Sequence, residues 1–265
     1  MSDAGIVLSE VADGIMRITL NRPDRANSIG PESRELVMAL LAEADQNPEI
    51  RVVLIRSTGK HFCAGGDVGK ISGSFDAPRP IGSTMRAMSG PQNFITAILD
   101  CSKPVVAMVQ GPAAGLGGVL ALACDLVVAS EEAWFSQPFV LRGLSLDSAS
   151  GYILPRRVGL QKAKELVFLG DRLPASEALA LGMVNRVCPP DQLEEVTEEL
   201  LGRLAKAATV AIGLAKKQLN ASLDGDRQSA FQAEGMAQEI NSRTDDIKEG
   251  VKAFMEKRQP EFRGR

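Results

Sequence analysis

The chain has 265 residues, 45% of them hydrophobic and 24% charged, with a net charge of −3. A chain of this length buries about 70–75% of its extended surface, and the mixture excludes a disordered chain, a collagen and a small disulfide scaffold. The slight acidity leaves no broad basic face for nucleic acid or an anionic membrane, and 4% aromatic residues are too few for a base-stacking platform.

In chain order, Gly14–Leu20 alternates and is β-rich, so it reads as a strand. Asn21-Arg-Pro-Asp is a turn. Pro31 suits a first helical turn, and Leu36, Val37, Leu40 and Leu41 make one apolar stripe running on to Ala44. Val52–Ile55 is a buried strand, followed by a loop of small residues over 57–67. Residues 81–100 read as a helix, 105–109 as a strand, 115–123 as a glycine-opened helix and 126–129 as a strand. That alternation predicts α/β architecture with parallel pairing. Later come short helices over 158–169 and 176–181 and a last strand over 184–187. Beyond Pro190 the pattern is helical only: 193–205, 210–219, 229–240 and 246–258, the last with Ile247, Val251 and Phe254 on one face. The division expected is a core over 1–195 and a helical region over 196–265.

Cys63, Cys101, Cys124 and Cys188 form no CxxC pair, which disfavours zinc and dithiol redox. They are expected as small core residues in a reducing compartment, the cytoplasm. Acids precede the first arginine and no long apolar run follows, so no signal peptide is expected. Val105–Cys124 is apolar enough to imitate a membrane span. Its four glycines, Pro112 and the Asp125 that ends it favour a buried strand–turn–helix.

Two turns carry the candidate chemistry. Gly111-Pro-Ala-Ala-Gly115-Leu-Gly117-Gly118 follows a strand and opens a helix. Glycines there expose backbone N–H groups, and a helix N-terminus favours negative charge. Tight helix–sheet packing explains the same glycines, and both readings stay open. The dinucleotide fingerprint fails at Leu120 and no GK[ST] follows. Ala64-Gly65-Gly66-Asp67 is a second small-residue turn at a strand's C-terminal end, where open α/β sheets bind ligands. One N–H from each turn aimed at a common oxygen makes an oxyanion hole, each donor being worth about 10²–10³ in rate.

With these residues in view the chain resembles the enoyl-CoA hydratase/isomerase (crotonase) superfamily. The matching pieces are Leu20-Asn-Arg-Pro23 with Asn27, Phe62-Cys-Ala-Gly-Gly-Asp67, Lys103-Pro-Val-Val-Ala107 leading to Gly111–Gly118, Ala123-Cys-Asp125, Ala175-Ser-Glu-Ala178 with Leu181-Gly-Met-Val184, and Glu249–Phe254 with Lys257-Arg258. They run in family order over almost the whole chain. The resemblance implies a spiral of ββα turns with a C-terminal helical trimerisation region, assembled as a homotrimer or a dimer of trimers. It implies acyl-CoA thioester substrates and an enolate intermediate, with no cofactor beyond the coenzyme A of the substrate and no metal. The oxyanion donors fall on Gly66 and Gly117. Arg22, Arg25, Ala64, Asp67, Leu120, Phe139, Phe254 and Lys257 fall on substrate or coenzyme A contacts.

The departures bear on function. Family hydratases carry a glutamate three residues after the oxyanion glycine, which here is Leu120. A second follows an F-x-x-P segment, which here is Phe135-Ser-Gln-Pro138 followed by Phe139. Leucine and phenylalanine neither activate water nor carry a proton, so ordinary hydration is not expected. One nearby carboxylate remains, Asp147, at a loop position where isomerases of the superfamily place an acid. The family's 4-chlorobenzoyl-CoA dehalogenases place a nucleophilic aspartate there too, but the histidine they use upstream is missing from Phe94–Ser102, and the only histidine is His61. The leading expectation is an enoyl-CoA isomerase with Asp147 as acid/base. The alternatives are hydrolase- or dehalogenase-like chemistry with Asp147 as nucleophile, or a non-catalytic acyl-CoA-binding homologue. A plain helix-capping role for Asp147 competes with all three. Arg142 and Tyr152 flank its loop. The stretch near 70–100, with Met85 and Met88, suggests an adaptable apolar wall for the acyl group.

Overall fold

The computed structural model describes residues 5–67 and 80–265. Val7–Ala12 (β1) and Ile15–Leu20 (β2) form an antiparallel hairpin. Its turn is Asp13-Gly14, both left-handed (φ 53° and 77°), the conformation that matches strand twist in a two-residue hairpin. β3 (Val52–Ser57) and β4 (Val105–Val109) follow, then the short β5 (Ala113–Ala114), β6 (Leu126–Ser130), β7 (Trp134–Ser136), β8 (Leu173–Pro174) and β9 (Arg186–Cys188). A six-stranded sheet runs β1-β2-β3-β4-β6-β9, parallel from β2 onward, and β5-β7-β8 make a second, three-stranded sheet. β1 is the edge, with Leu8 and Val11 exposed, and its weak alternation hides it from a periodicity reading.

β3 and β4 are near-continuous apolar runs because both faces of the sheet are covered. Val53, Ile55, Ala107 and Val109 face the main core. That core is closed by α1 (Pro31–Gln46), α2 (Ser83–Asp100) and α3 (Leu116–Ala123). Val52, Leu54, Val106 and Met108 face the other side. Each such side chain contributes about 1.5–3 kcal/mol by leaving water. α4 spans Ser150–Leu169 but breaks at Gly159 (φ 75°, ψ 161°), so the helix expected from 158 starts eight residues earlier and restarts there. α5 (Ala175–Ala180) leads into β9, and α6 (Leu193–Ala205) lies across β3, β4 and β6 on the second face. Leu36, placed on the core stripe of α1 by periodicity, is instead exposed, and the buried set is Val37, Leu41 and Ala44.

The C-terminal helices are α7 (Thr209–Ala221), α8 (Arg227–Asn241) and α9 (Asp245–Met255). The Asp226 carboxylate accepts the Ser229 N–H at 2.8 Å, and the Thr244 hydroxyl accepts the Ile247 N–H at 3.2 Å, so each cap closes a helix start. Among the described residues no helix is long and apolar enough to cross a membrane.

Candidate active site

The two glycine turns are woven together. The Cys63 N–H donates to Pro112 O (3.1 Å), and the Ala114 N–H donates back to Cys63 O (2.9 Å). The Ala64 N–H donates to Ala26 O, the Ile29 N–H to Gly65 O and the Asp67 N–H to Ile29 O. Gly115 takes φ 52°, ψ −124°, a conformation left to glycine, and its N–H is held by Ser136 O at 2.9 Å. This weave consumes the surrounding amides. Among the described residues the Gly66 N–H and the Gly117 N–H have no acceptor. The Gly117 donor also carries the partial positive charge of the α3 N-terminus. The two turns therefore present free donors from one stitched unit, the arrangement an oxygen acquiring negative charge requires.

The reasons for glycine differ between the two. A Cβ on Gly117 would lie 2.2 Å from Cys63 O and 2.6 Å from Cys63 Cβ, so only hydrogen fits. A Cβ on Gly66 would meet nothing within 4 Å. Packing does not demand glycine at 66; open space lies in front of it. Cys63 is fully enclosed, and burial pushes its thiol up to about 12, so it serves as a packed small residue.

Arg22 and Asp67 come together beside this unit, with Arg22 Nη1 at 3.5 Å from Asp67 Oδ2 and 3.2 Å from Ser28 O. Arg25 sits on the exposed turn Pro23–Arg25, 3.8 Å from Asp24. The loop holding both arginines is anchored by Asn27, left-handed at φ 53°. Its side chain accepts the Arg22 N–H (2.8 Å) and donates to Thr58 O (2.7 Å) and His61 O (2.8 Å). In the sequence Asn27 stands only as a piece of the family match; its anchoring role follows from its burial, which the fold supplies. The carbonyl of His61 also accepts Ser57 Oγ–H, so the main chain of this histidine, not its ring, is what the turn uses.

Leu120 is fully buried in the core and Phe139 nearly so, its ring edge 3.8 Å from where a Gly115 Cβ would stand. The two positions at which the resemblance implies hydratase carboxylates are thus apolar and buried. Phe139 O accepts the Leu144 N–H, which ties the Asp147 loop to the same corner. Arg157 of α4 donates to Leu122 O (2.8 Å) at the far end of α3.

Asp147 does not cap α4. The cap is Ala149, with no side-chain hydrogen bond, and Ser148 and Ala149 are both left-handed (φ 53° and 63°). The Asp147 carboxylate accepts the Ser148 hydroxyl at 2.7 Å, while its backbone carbonyl accepts the Ser150 N–H and hydroxyl. Two consecutive left-handed non-glycine residues cost on the order of 1–3 kcal/mol each, a strain found concentrated at functional sites. Tyr152 and Arg142 are committed elsewhere: the Tyr152 hydroxyl donates to Asp224, and Arg142 donates to Pro138 O.

Phe254 is 82% exposed and Lys257 is exposed; no hydrogen bond or ion pair among the described residues joins them to Arg22 or Arg25. Residues 70–79 of the expected acyl wall lie outside the described residues, and Met85 is 78% exposed.

Comparison with known proteins settles the family. The model of the family "Enoyl-CoA hydratase/isomerase" matches residues 10–265. The chain belongs to that family. It is 33% identical over 260 residues to the 1,2-epoxyphenylacetyl-CoA isomerase of Escherichia coli, covering 98% of each chain. It is 31% identical over 259 residues to the trans-2-decenoyl-[acyl-carrier-protein] isomerase of Streptococcus mutans, again covering 98% of each. The crystal structure of an enoyl-CoA hydratase/isomerase from Cupriavidus metallidurans superposes with a TM-score of 0.93 at 34% identity, covering 100% of this chain and 98% of that one. An enoyl-CoA hydratase from Bacillus anthracis superposes with a TM-score of 0.90 at 30% identity, covering 98% and 100%. The fold is the crotonase fold, and family members are isomerases and hydratases, with acyl-CoA thioesters the substrates expected for the family.

Proposed function

We propose that this family member is an enoyl-CoA isomerase, with the thioester oxygen on the Gly66 and Gly117 N–H groups and Asp147 moving the proton. The observation that carries the reading is the apolar pair Leu120 and Phe139 at the hydratase carboxylate positions, beside a loop that still holds Asp147. The carboxylate takes a proton from C2 of the enoyl thioester. The electron pair moves onto the thioester oxygen as an enolate, and the same proton is returned at C4. No water is activated, so one carboxylate suffices. The isomerase names of two relatives support the reading; the hydratase names of others leave hydration as its competitor. Arg22, Arg25, Ala64 and Asp67 are assigned to the coenzyme A moiety.

The test is turnover of 3-enoyl-, crotonyl- and aromatic epoxyacyl-CoAs by the wild type and by Asp147→Asn. We expect isomerisation in the wild type, crotonyl-CoA hydration absent or weak, and a fall of about 10² or more in Asp147→Asn with acyl-CoA affinity retained. Because Asp147 caps no helix, the Asn variant has no cap to lose. Undiminished turnover in that variant would remove Asp147 from the chemistry, and hydration in the normal range of the hydratases would overturn the reading.

A further inference from the structure

Asp147 and the residue after it meet side chain to side chain, which neighbours in regular structure do not do. Successive side chains point to opposite faces of a strand, and on a helix residues one apart do not face each other. Here Ser148 is left-handed at φ 53°, and its hydroxyl donates to Asp147 Oδ1 at 2.7 Å. Ser148 is 3% exposed, and among the described residues that oxygen is its hydroxyl's only partner. The other carboxylate oxygen, Oδ2, has no partner among the described residues and is not sealed inside the protein. One oxygen of the half-buried carboxylate is held, and the other is open.

The main chain beneath is held as firmly. Asp147 O accepts the Ser150 N–H (2.9 Å) and the Ser150 hydroxyl (2.7 Å), and Ser150 is fully enclosed. The Tyr152 N–H donates to Ala149 O at 3.0 Å. The same turn of α4 is fastened to the connection between α7 and α8, where Asp224 accepts the Tyr152 hydroxyl and, at 2.5 Å, Arg156. Left-handed residues other than glycine persist only where the surroundings hold them, and these bonds hold Ser148 and Ala149. A serine needed only to turn the chain could give way to glycine, which takes a positive φ freely. Glycine cannot supply the hydroxyl on Oδ1.

We propose that Ser148 is a positioning residue for the proton transfer: its hydroxyl pins Oδ1 of Asp147 and leaves Oδ2 as the oxygen that carries the proton. The proposal rests on the isomerase reading above. Oδ2 gains the proton as the C2–H bond breaks and its electron pair moves onto the thioester oxygen. As the pair flows back, the Oδ2–H bond breaks, a C4–H bond forms and the carboxylate is restored. The Ser148 hydroxyl touches the acid and not the acyl group, so its loss falls on the chemical step rather than on affinity.

The experiment measures kcat and KM for trans-3-hexenoyl-CoA with the full-length protein, in the wild type, Ser148→Ala, Ser148→Gly, Asp147→Asn and the double variant Asp147→Asn/Ser148→Ala. We expect both Ser148 variants to lose about tenfold or more in kcat, with KM within about twofold of wild type. Ser148→Gly should unfold at no lower a denaturant concentration than the wild type, so it decides the matter if Ser148→Ala misfolds. Because Ser148 acts through Asp147, the double variant should be no slower than Asp147→Asn alone. Wild-type kcat in a folded Ser148 variant, a loss that lies in KM, or an undiminished further loss in the Asp147→Asn background would each overturn the proposal and leave Asp147 as the base. No isomerisation by the wild type, or full turnover in Asp147→Asn, would instead overturn the isomerase reading, and the proposal with it.

Discussion

Gly66 and Gly117 are the same residue for different reasons, and substitution should separate them. Gly117→Ala drives a methyl into the Cys63 backbone. Overpacking of this kind costs about 1–3 kcal/mol, and the shift it forces falls on the oxyanion unit, so denaturation midpoint and turnover should drop together. Gly66→Ala meets no neighbour. Its stability should stay within about 0.5 kcal/mol of wild type, while the methyl stands where the thioester must approach and turnover falls. A Gly66→Ala protein with normal kinetics would remove Gly66 from the site. Asn27→Ala offers a third contrast. It strips the part-buried Thr58 O of its donor and His61 O of one of several, at a cost of about 1–3 kcal/mol for the group left unpaired, and it frees the Arg22 loop.

Elements are held to one another by a few charged struts. Lys216 ties α7 to the carbonyls at the end of α2 and to Asp125. Lys216→Met leaves Asp125 hydrogen-bonded only to the Val105 N–H. Loss of one partner of a buried pair costs about 3–5 kcal/mol; Asp125 is partly open to solvent, so the lower end is expected by denaturant titration. At the C-terminus, Glu249 binds Arg258 and accepts the Glu261 N–H. These hydrogen bonds hold its carboxyl down to about 2, against 4.5 ordinarily. A depressed folded value stabilises the docked tail above the ordinary value, and the contribution is lost as pH falls from about 4.5 toward 2. The Glu261 amide should lose its protection over that window, and Glu249→Gln should show the loss already at neutral pH. An amide protected down to pH 2 would contradict this.

At the scale of the whole molecule the C-terminal helices leave much apolar surface uncovered. Leu219, Phe231, Met236, Ile240, Val251 and Phe254 are all more than half exposed, apolar surface that a subunit contact would cover. We propose a homotrimer or a dimer of trimers, with the 196–265 region as its contact. Light scattering at micromolar concentration should find it, and deletion of 245–265 should abolish both assembly and coenzyme A binding. The deletion also removes Phe262 O, which accepts Arg51 at 3.0 Å, so circular dichroism is needed to show that the spiral survives. A monomeric full-length chain would refute the assembly.

By itself the sequence determined the α/β alternation, the family and the two glycine turns. Those signals are local: β3 and β4 are unbroken apolar runs, and glycines cluster where backbone must come close to backbone or ligand. It also showed that Leu120 and Phe139 replace carboxylates, since residue type alone excludes proton transfer. The β1 strand stays hidden in the sequence because an edge strand buries little and so loses its alternation. Tertiary structure alone decided the rest. Whether Gly66 and Gly117 keep free N–H groups depends on where the neighbouring amides go, and those bonds join residues far apart in the chain. Whether Asp147 caps a helix depends on the left-handed turn at Ser148-Ala149, which no propensity for serine or alanine foretells. Such bonds and turns are properties of the assembled fold, because they join residues that local sequence does not bring together.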